Sequence, residues 1–278
     1  MRTPASAPAP TPGSRPLPRL RVATYNIHKG VTAFGQRSRV AELRAALHSI
    51  DADIVFLQEV QDRNERLPSA PSAPLLGQLE VLGAPGYEHR AYGMNAVYPH
   101  GNHGNAILSR WPIEHSANHD ISDHVLENRG MLHAVVRIPG GGAERIHLIC
   151  AHFGLVRRSR TRQADWVARF IEREIPPAAP LILAGDFNDW QRRVDAQLRE
   201  RLGMQDVADQ TGEGPWLSRL LGWRRPLRVA RTFPSFAPLL TLDRIYLRGL
   251  RARSAQVPRG RAWARCSDHA PLIADLER

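Results

Sequence analysis

The sequence contains few cysteines and no long apolar run. Cys150 and Cys266 are too few for a disulfide framework and lack the spacing of zinc ligands. We therefore interpret both as buried thiols in a reducing compartment. No stretch approaches the ~18 consecutive apolar residues of a membrane-spanning helix, and the N-terminal segment lacks the apolar core of a signal peptide. These absences favour a cytoplasmic protein without a transmembrane segment.

Lysine is also scarce: Lys29 is the single lysine among 38 lysine and arginine residues. The net charge of +11 favours an anionic partner, such as a nucleic acid, an anionic membrane surface or a phosphorylated metabolite. An arginine bias of this strength also arises from genome composition. The charge by itself therefore does not choose the partner.

The composition is otherwise that of a folded protein, since apolar residues make up 42% of the 278 positions. Residues 1–19 are rich in Pro and Ala, and we expect a disordered tail there, followed by one domain at 20–278. Residues 202–235 hold many Gly, Pro, Trp and Arg, which is typical of a long surface insertion. We expect the protein to be a monomer.

Apolar patterning predicts strands that alternate with helices. Strands are predicted at 20–26, 53–58, 105–109, 131–138, 145–152, 180–186, 243–248 and 271–273. One helix follows from apolar residues at Val40, Leu43, Leu47 and Ile50, and another surrounds Trp166 and ends before Pro176. Residues 139–142 predict a hairpin turn, and 62–86 are expected to be mostly loop. The pattern indicates one α/β domain with a mixed sheet core.

Polar side chains stand at the ends of six of these apolar strands, where polarity does not help folding. They are Asn26, Gln58–Glu59, His152, Asp186 with Asn188, Asp243, and Asp268–His269. One such residue alone is most often a turn or helix cap. Strand ends are also where α/β sheets bind ligands, and so many acids, amides and histidines together predict one convergent pocket.

The residue types in this pocket point to phosphoester hydrolysis. Mg²⁺ and Mn²⁺ prefer carboxylate and amide oxygens, and the H-E-x-x-H zinc motif is absent. A hard cation would neutralise charge on a phosphate while a base orients water.

The order of seven short motifs resembles the endonuclease/exonuclease/phosphatase superfamily, with its DNase I-like fold. The motifs are Thr24-Tyr25-Asn26, Leu57-Gln58-Glu59-Val60, 104–109 (GNAILS), Ala151-His152, 185–188 (GDFN), 242–245 (LDRI) and 267–269 (SDH). The resemblance covers about residues 20–276. It implies a four-layer α/β sandwich, in which two packed mixed β-sheets are flanked by helices.

The same resemblance implies a divalent metal, Mg²⁺ or Mn²⁺, and its surroundings. Glu59 matches the principal metal ligand, while Asn26 and Asp268 lie close to the metal. His152 matches the position that contacts the scissile phosphate or assists the leaving group, and Asn188 helps to hold the phosphate.

The remaining matched residues imply acid–base roles. Asp186 matches the acid that orients or deprotonates water. His269 matches the general base or a phosphate-stabilising imidazole, and Asp243 matches the partner that fixes its tautomer or charge. The sequence leaves open whether Asp186 or His269 takes the proton.

Weaker candidates are Lys29 and Arg129 as phosphate ligands and the arginines at 157, 158, 160 and 162 as a phosphate-backbone grip. Solvated or structural roles are the alternatives for each. The aromatic residues Trp216, Trp223, Phe233 and Phe236 fit base stacking, internal packing or a lipid interface.

Fold does not choose the substrate. Gln58-Glu59-Val60-Gln61 and Tyr25-Asn26 depart from the Gln-Glu-x-Lys and Trp-Asn segments of abasic-site endonucleases, which argues against DNA repair. The segments 25–30 (YNIHKG), 231–234 (RTFP) and 242–245 (LDRI) look more like bacterial family members that resemble the sphingomyelinase and DNase I branch. We expect a metal-dependent phosphodiesterase acting on nucleic acid or phospholipid head groups. The alternatives are a phosphomonoesterase on a small metabolite and an inactive polyanion-binding protein.

Overall fold

A computed structural model describes residues 19–31, 38–64, 77–139, 144–211 and 230–277. The described strands are β1 Leu20–Asn26, β2 Ile54–Asn64, β3 His89–Tyr98, β4 Gly101–Ser109, β5 Ile113–Asp120, β6 Gly130–Ile138, β7 Glu144–His152, β8 Leu181–Asp186, β9 Gln205–Asp206, β10 Asp243–Arg248, β11 Arg251–Gln256 and β12 Leu272–Glu277. The described helices are a 3₁₀ turn at His28–Gly30, α1 Val40–Ile50, α2 Gln78–Gly83, α3 Arg157–Glu174, α4 Arg193–Leu202, α5 Val207–Gln210 and α6 Arg261–Cys266.

The strands form two six-stranded mixed sheets. The first sheet has the order β11-β12-β1-β2-β4-β3, and the second has the order β5-β6-β7-β8-β10-β9. Most neighbours are antiparallel, but β1 pairs with β2 and β7 with β8 in parallel. Apolar residues such as Phe56, Leu148 and Ile245 fill the space between the sheets. Each sheet can bury this face only against the other, which explains the packed pair.

Helices cover the outer face of each sheet. Leu43 and Leu47 of α1 belong to a second apolar cluster with Tyr25 and Leu57 of the first sheet. Phe170 of α3 belongs to a third cluster with residues of the second sheet. The order helix, sheet, sheet, helix confirms the expected four-layer α/β sandwich.

The structure departs from the predicted elements mainly where strands are half exposed. The edge strands β3 and β5 were not predicted, because polar residues interrupt their apolar alternation and one face meets solvent. Pairing with β4 also carries β2 on to Asn64, so that 62–86 is not simply loop. Helix α3 begins nine residues before Trp166 because its first turns are polar.

Three predicted segments fall partly outside the described residues: the N-terminal tail, the hairpin turn and the insertion. Residues 1–18, the tip of the 139–142 turn and residues 212–229, with Trp216 and Trp223, are outside them. The strands on either side of that turn do pair as a hairpin. The start of the predicted insertion is not a surface loop, since Val207 and Ala208 of α5 are buried in the core. Among the described helices, none combines the length and apolarity needed to cross a membrane.

A buried ion pair joins the end of the second sheet to α5. Arg244 donates to the Asp206 carboxylate at 2.8 Å, and both side chains are at most 2% exposed. The other Asp206 oxygen accepts from the backbone N–H of Ala208 and so caps the N-terminus of α5. Burial raises the pKa of Asp206 even beside this arginine.

We predict that Asp206→Asn lowers the free energy of unfolding by about 3–5 kcal/mol, because it removes the carboxylate that is directly paired with the buried Arg244 guanidinium. Urea denaturation measures this. Glu174→Gln, which breaks an exposed pair with Arg173, is the control and should cost less than about 1 kcal/mol. Equal losses in the two variants would contradict the prediction.

A second acid, Asp275 of β12, holds the edge of the first sheet. Burial opposes its ionisation, but hydrogen bonds from Arg21, Ser254 and Arg19 lower the pKa of Asp275 to about 2. A carboxyl whose pKa is lower in the folded state stabilises the fold above its unfolded pKa of about 4 and loses that effect as the pH falls towards 2.

We therefore expect Asp275→Asn to destabilise the protein at pH 7 and the difference from the native chain to shrink between about pH 4 and pH 2. Thermal unfolding across this range measures the difference. A difference that stayed constant down to pH 2 would show that Asp275 acts through packing and not through its charge.

Candidate active site

Strand register brings the predicted site residues to one edge of the sandwich. In the second sheet, His152 of β7 lies opposite Asp186 of β8, and Asp186 lies opposite Asp243 of β10. In the first sheet, Asn26 of β1 lies opposite Gln58 of β2. The parallel pairs place both strand ends of each pair at the same edge, as the strand-end pattern predicts.

The carboxylate of Asp186 connects the two sheets at this edge. Its Oδ2 accepts a hydrogen bond from Asn26 Nδ2 at 3.0 Å, and its Oδ1 accepts from the backbone N–H of Asn188 at 3.0 Å. The same Oδ2 lies 3.6 Å from His152 Nε2 and 3.7 Å from His269 Nε2. Asp186 is buried, and its burial raises its pKa to about 6. A carboxylate that titrates near neutral pH is suited to accept a proton.

His269 and Asp243 form a buried pair on one side of Asp186. His269 Nδ1 lies 2.8 Å from Asp243 Oδ2. Burial lowers the pKa of His269, but the carboxylates of Asp243 and Asp186 outweigh burial and raise it to about 10. The ring is therefore an imidazolium at neutral pH, which suits it to stabilise an anion.

His152 has the opposite protonation state on the other side of Asp186. Burial, together with the positive charges of Arg129 and His269, lowers the pKa of His152 well below its ordinary value. A neutral imidazole can both donate and accept a proton. The site thus places a neutral and a charged histidine on either side of one carboxylate.

Glu59 stands in a distorted part of β2. One extra residue enters β2 between Leu57 and Val60, which makes a β-bulge, and Glu59 has φ 57° in the left-handed region. A bulge redirects a side chain, and this one brings Glu59 Oε1 to 3.4 Å from Asn26 Nδ2. Backbone strain of this kind concentrates at functional sites.

Asp268 joins the same edge from the loop before β12. Its Oδ2 lies 3.4 Å from His28 Nδ1, and its Oδ1 lies 3.3 Å from Ser267 Oγ. Ser267 also donates to the backbone carbonyl of Asn26 at 2.7 Å. The SDH and YN motifs are therefore in direct contact, although 241 positions separate them.

Two sets of side chains offer donors for a cation. Glu59, Asn26 and Asp268 supply the carboxylate and amide oxygens that a hard divalent ion prefers. One donor atom each from Asp186, Asp243 and His269 also lies within 4.8 Å of the other two, and among the described residues no second such group occurs. Asp243 Oδ1 is buried there without a hydrogen-bond partner. His269 Nδ1 is already engaged by Asp243 Oδ2 at 2.8 Å, so this second set also has the geometry of a hydrogen-bonded acid–imidazole pair.

Further residues support the site from behind and from beside it. Gln58 is fully buried and donates to Thr24 and to Cys150 Sγ, which ties the two sheets together behind the site. Thr232 O accepts from the backbone N–H of Ala270, and the Phe233 ring lies 5.0 Å from that of His269. Phe233 therefore packs against the site and does not stack on the outer surface.

The weaker arginine candidates separate into two groups. Arg160 is buried and donates to the backbone carbonyl of Gly154 at 3.3 Å, and Arg162 pairs with Asp123, so both are structural. Arg157 and Arg158 are exposed and have no ion pair among the described residues. Arg129 and Lys29 lie near enough to the site to lower the pKa of His152.

Two packed sheets with an acid–imidazole cluster at their common edge define a DNase I-like phosphoesterase fold. The model of the Endonuclease/Exonuclease/phosphatase family matches residues 23–269, and the chain belongs to that family. Its members are metal-dependent phosphoesterases, including nucleases, sphingomyelinases and phosphatases.

The chain is also similar to individual proteins and, in fold, to solved structures. The chain is 40% identical over 258 residues to the uncharacterized protein YbhP of Escherichia coli K12, covering 92% of this chain and 96% of the relative. It is 26% identical over 195 residues to sphingomyelinase C of Leptospira interrogans, covering 61% and 34%. An endonuclease/exonuclease/phosphatase structure from Bacteroides vulgatus superposes with a TM-score of 0.70 at 19% identity, covering 93% and 98%.

The left-handed backbone at Glu59 generates a stability prediction. A left-handed conformation costs an L-residue roughly 1–2 kcal/mol that glycine does not incur. We expect Glu59→Gly to be more stable than Glu59→Ala by about 1 kcal/mol, the reverse of the ordinary order in a strand. Urea denaturation of both variants measures this.

The matched control is Glu114, an exposed residue of β5 without positive φ. There Glu114→Ala should be more stable than Glu114→Gly. The same order at both positions would refute strain at Glu59.

Proposed function

We propose that the protein is a divalent-metal-dependent phosphodiesterase that hydrolyses a nucleic-acid or phospholipid-type phosphodiester by attack of water. The observation that carries this proposal is the buried Asp186 carboxylate, bonded to Asn26 and flanked by His152 and His269. A carboxylate that can accept a proton, with an imidazole on either side of it, supplies the acid–base groups that phosphoester hydrolysis requires.

Glu59, Asn26 and Asp268 would hold Mg²⁺ or Mn²⁺, which when bound neutralises charge on the phosphate. The donor set supports this role, because it consists of oxygens, which hard cations prefer.

The protonation states divide the remaining roles. Asp186, with a pKa of about 6, accepts the proton of the attacking water. His269, charged and held by Asp243, stabilises the negative phosphate and does not act as the base. His152 stays neutral and can pass a proton to the leaving oxygen. Asn188, whose Nδ2 donates to the Phe153 carbonyl, keeps the loop after Asp186 in place beside the phosphate.

The family match supports metal-dependent phosphoester hydrolysis. The sphingomyelinase match supports a phosphodiester substrate that includes lipid head groups. The expected cytoplasmic location and monomeric state stay predictions.

We predict that the purified protein hydrolyses bis(p-nitrophenyl) phosphate with Mg²⁺ or Mn²⁺ and that EDTA abolishes the activity. Glu59→Gln and Asp186→Asn should each lower kcat by about 10²–10⁴-fold, since each removes a positioned charge from the site. Steady-state kinetics measure this, with p-nitrophenyl phosphate in parallel to test for phosphomonoesterase activity.

Glu88→Gln is the control, because Glu88 is exposed just before β3, away from the site. Its kcat should equal that of the native chain. Full activity in the presence of EDTA and in Glu59→Gln would contradict the metal role.

A further inference from the structure

The exposed apolar side chains of this protein are not scattered over its surface. Of the eleven large apolar side chains that the structure describes as exposed, three lie in β3 and eight lie in the loops after β5, β7 and β8 and before β10. The term apolar rim denotes six of them: Val125, Leu126, Leu155, Val156, Trp190 and Phe236. Val125 is 97% exposed, Phe236 78% and Leu155 73%. Exposed apolar groups concentrated in one place mark an interaction surface.

The rim lies next to the catalytic residues along the chain. Leu155 follows His152 by three positions, and Trp190 follows Asp186 by four. Phe236 follows Phe233 by three, and the Phe233 ring contacts His269. A chain of three or four residues spans at most about 10–14 Å. A surface that meets the rim therefore also covers the mouth of the site.

Two hydrogen bonds through Gln163 connect two parts of the rim. Glu127 Oε2 accepts from Gln163 Nε2 at 2.8 Å, and Gln163 Oε1 accepts from the backbone N–H of Gly154 at 2.8 Å. These bonds fix the Val125–Leu126 loop beside the Leu155–Val156 loop. The exposed apolar side chains therefore lie on loops that hydrogen bonds hold in place.

Positive charge accompanies the rim. Leu155 and Val156 are followed by the exposed Arg157 and Arg158, and Trp190 is followed at a short distance by the exposed Arg193. In the described part of the chain, these three arginines make no ion pair. Apolar tips beside unpaired cations complement a surface with an apolar interior and an anionic face.

Nucleic acid is the other polyanion that such charges attract. Bases bind to flat aromatic rings, but four of the six rim residues are aliphatic and cannot stack on a base. Aliphatic side chains gain most by leaving water for hydrocarbon.

We propose that the apolar rim docks this protein on an anionic lipid bilayer, so that the site faces a phosphodiester in the lipid head-group layer. The substrate part of this inference rests on the proposed phosphodiesterase function, whereas the docking part does not.

Co-sedimentation with vesicles tests the docking without turnover. We expect the full chain to bind vesicles of 70% phosphatidylcholine and 30% phosphatidylglycerol and to bind pure phosphatidylcholine more weakly, by about fivefold for each arginine at the surface. Leu155→Ser with Val156→Ser should weaken binding to the anionic vesicles about tenfold or more. Arg157→Ser with Arg158→Ser should weaken it about 30-fold.

Arg44→Ser with Arg251→Ser is the charge-matched control, since both residues are exposed, unpaired among the described residues and remote from the rim. Its binding should stay within about threefold of the native chain. Circular dichroism checks that each variant is folded.

Absence of binding to anionic vesicles, or equal binding by the native chain and Leu155→Ser/Val156→Ser, would overturn the docking proposal. So would a stronger loss of single-stranded DNA binding than of vesicle binding in that variant, or a rim-dependent dimer in solution. Hydrolysis of soluble bis(p-nitrophenyl) phosphate tests the proposed function separately, because it needs no vesicle. A chain that binds vesicles but hydrolyses no phosphodiester refutes the function and leaves the docking intact.

Discussion

The hydrogen bond from Asn26 to Asp186 is the contact on which the rest of the site depends. It joins the end of a strand in the first sheet to the end of a strand in the second, with a length of 3.0 Å. Burying the Asp186 carboxylate is unfavourable, and its raised pKa records that cost. The fold tolerates the buried charge because donors from both sheets and the adjacent imidazolium of His269 compensate it.

The backbone departs from regular strand geometry at two positions near the site. Glu59 has a left-handed φ inside a strand, and Gly185 (φ 153°) stands where a Cβ would overlap the Ala151 carbonyl oxygen. Glu59 lies at the bulge within β2, and Gly185 is the next-to-last residue of β8. The surrounding core is well packed and can hold such conformations, which a small or mobile protein could not. Strain, burial and exposed apolar groups therefore coincide at one edge of an otherwise regular sandwich.

That coincidence also bears on how the protein meets its substrate. The catalytic groups are buried, whereas the loops that carry them extend outward with apolar tips and arginines. A substrate that diffuses freely needs no such tips around the site. The distribution is consistent with a phosphodiester presented by a larger surface.

The sequence alone determined the family and the sandwich fold, because seven short motifs in a fixed order and the polar residues at strand ends are local patterns. The same patterns supplied the candidate site residues, whose roles stay predictions. Register then brought them together as expected, with His152, Asp186 and Asp243 side by side. Local patterns could not show the edge strands β3 and β5, because half-exposed strands need no strict alternation. Nor could they show that Val207 and Ala208 are core residues, that Glu59 sits on a bulge, or which histidine carries a charge. Those properties arise from contacts between distant segments. Packing of those segments decides which side chains are buried, and burial and neighbouring charges then shift the pKa of each titratable group.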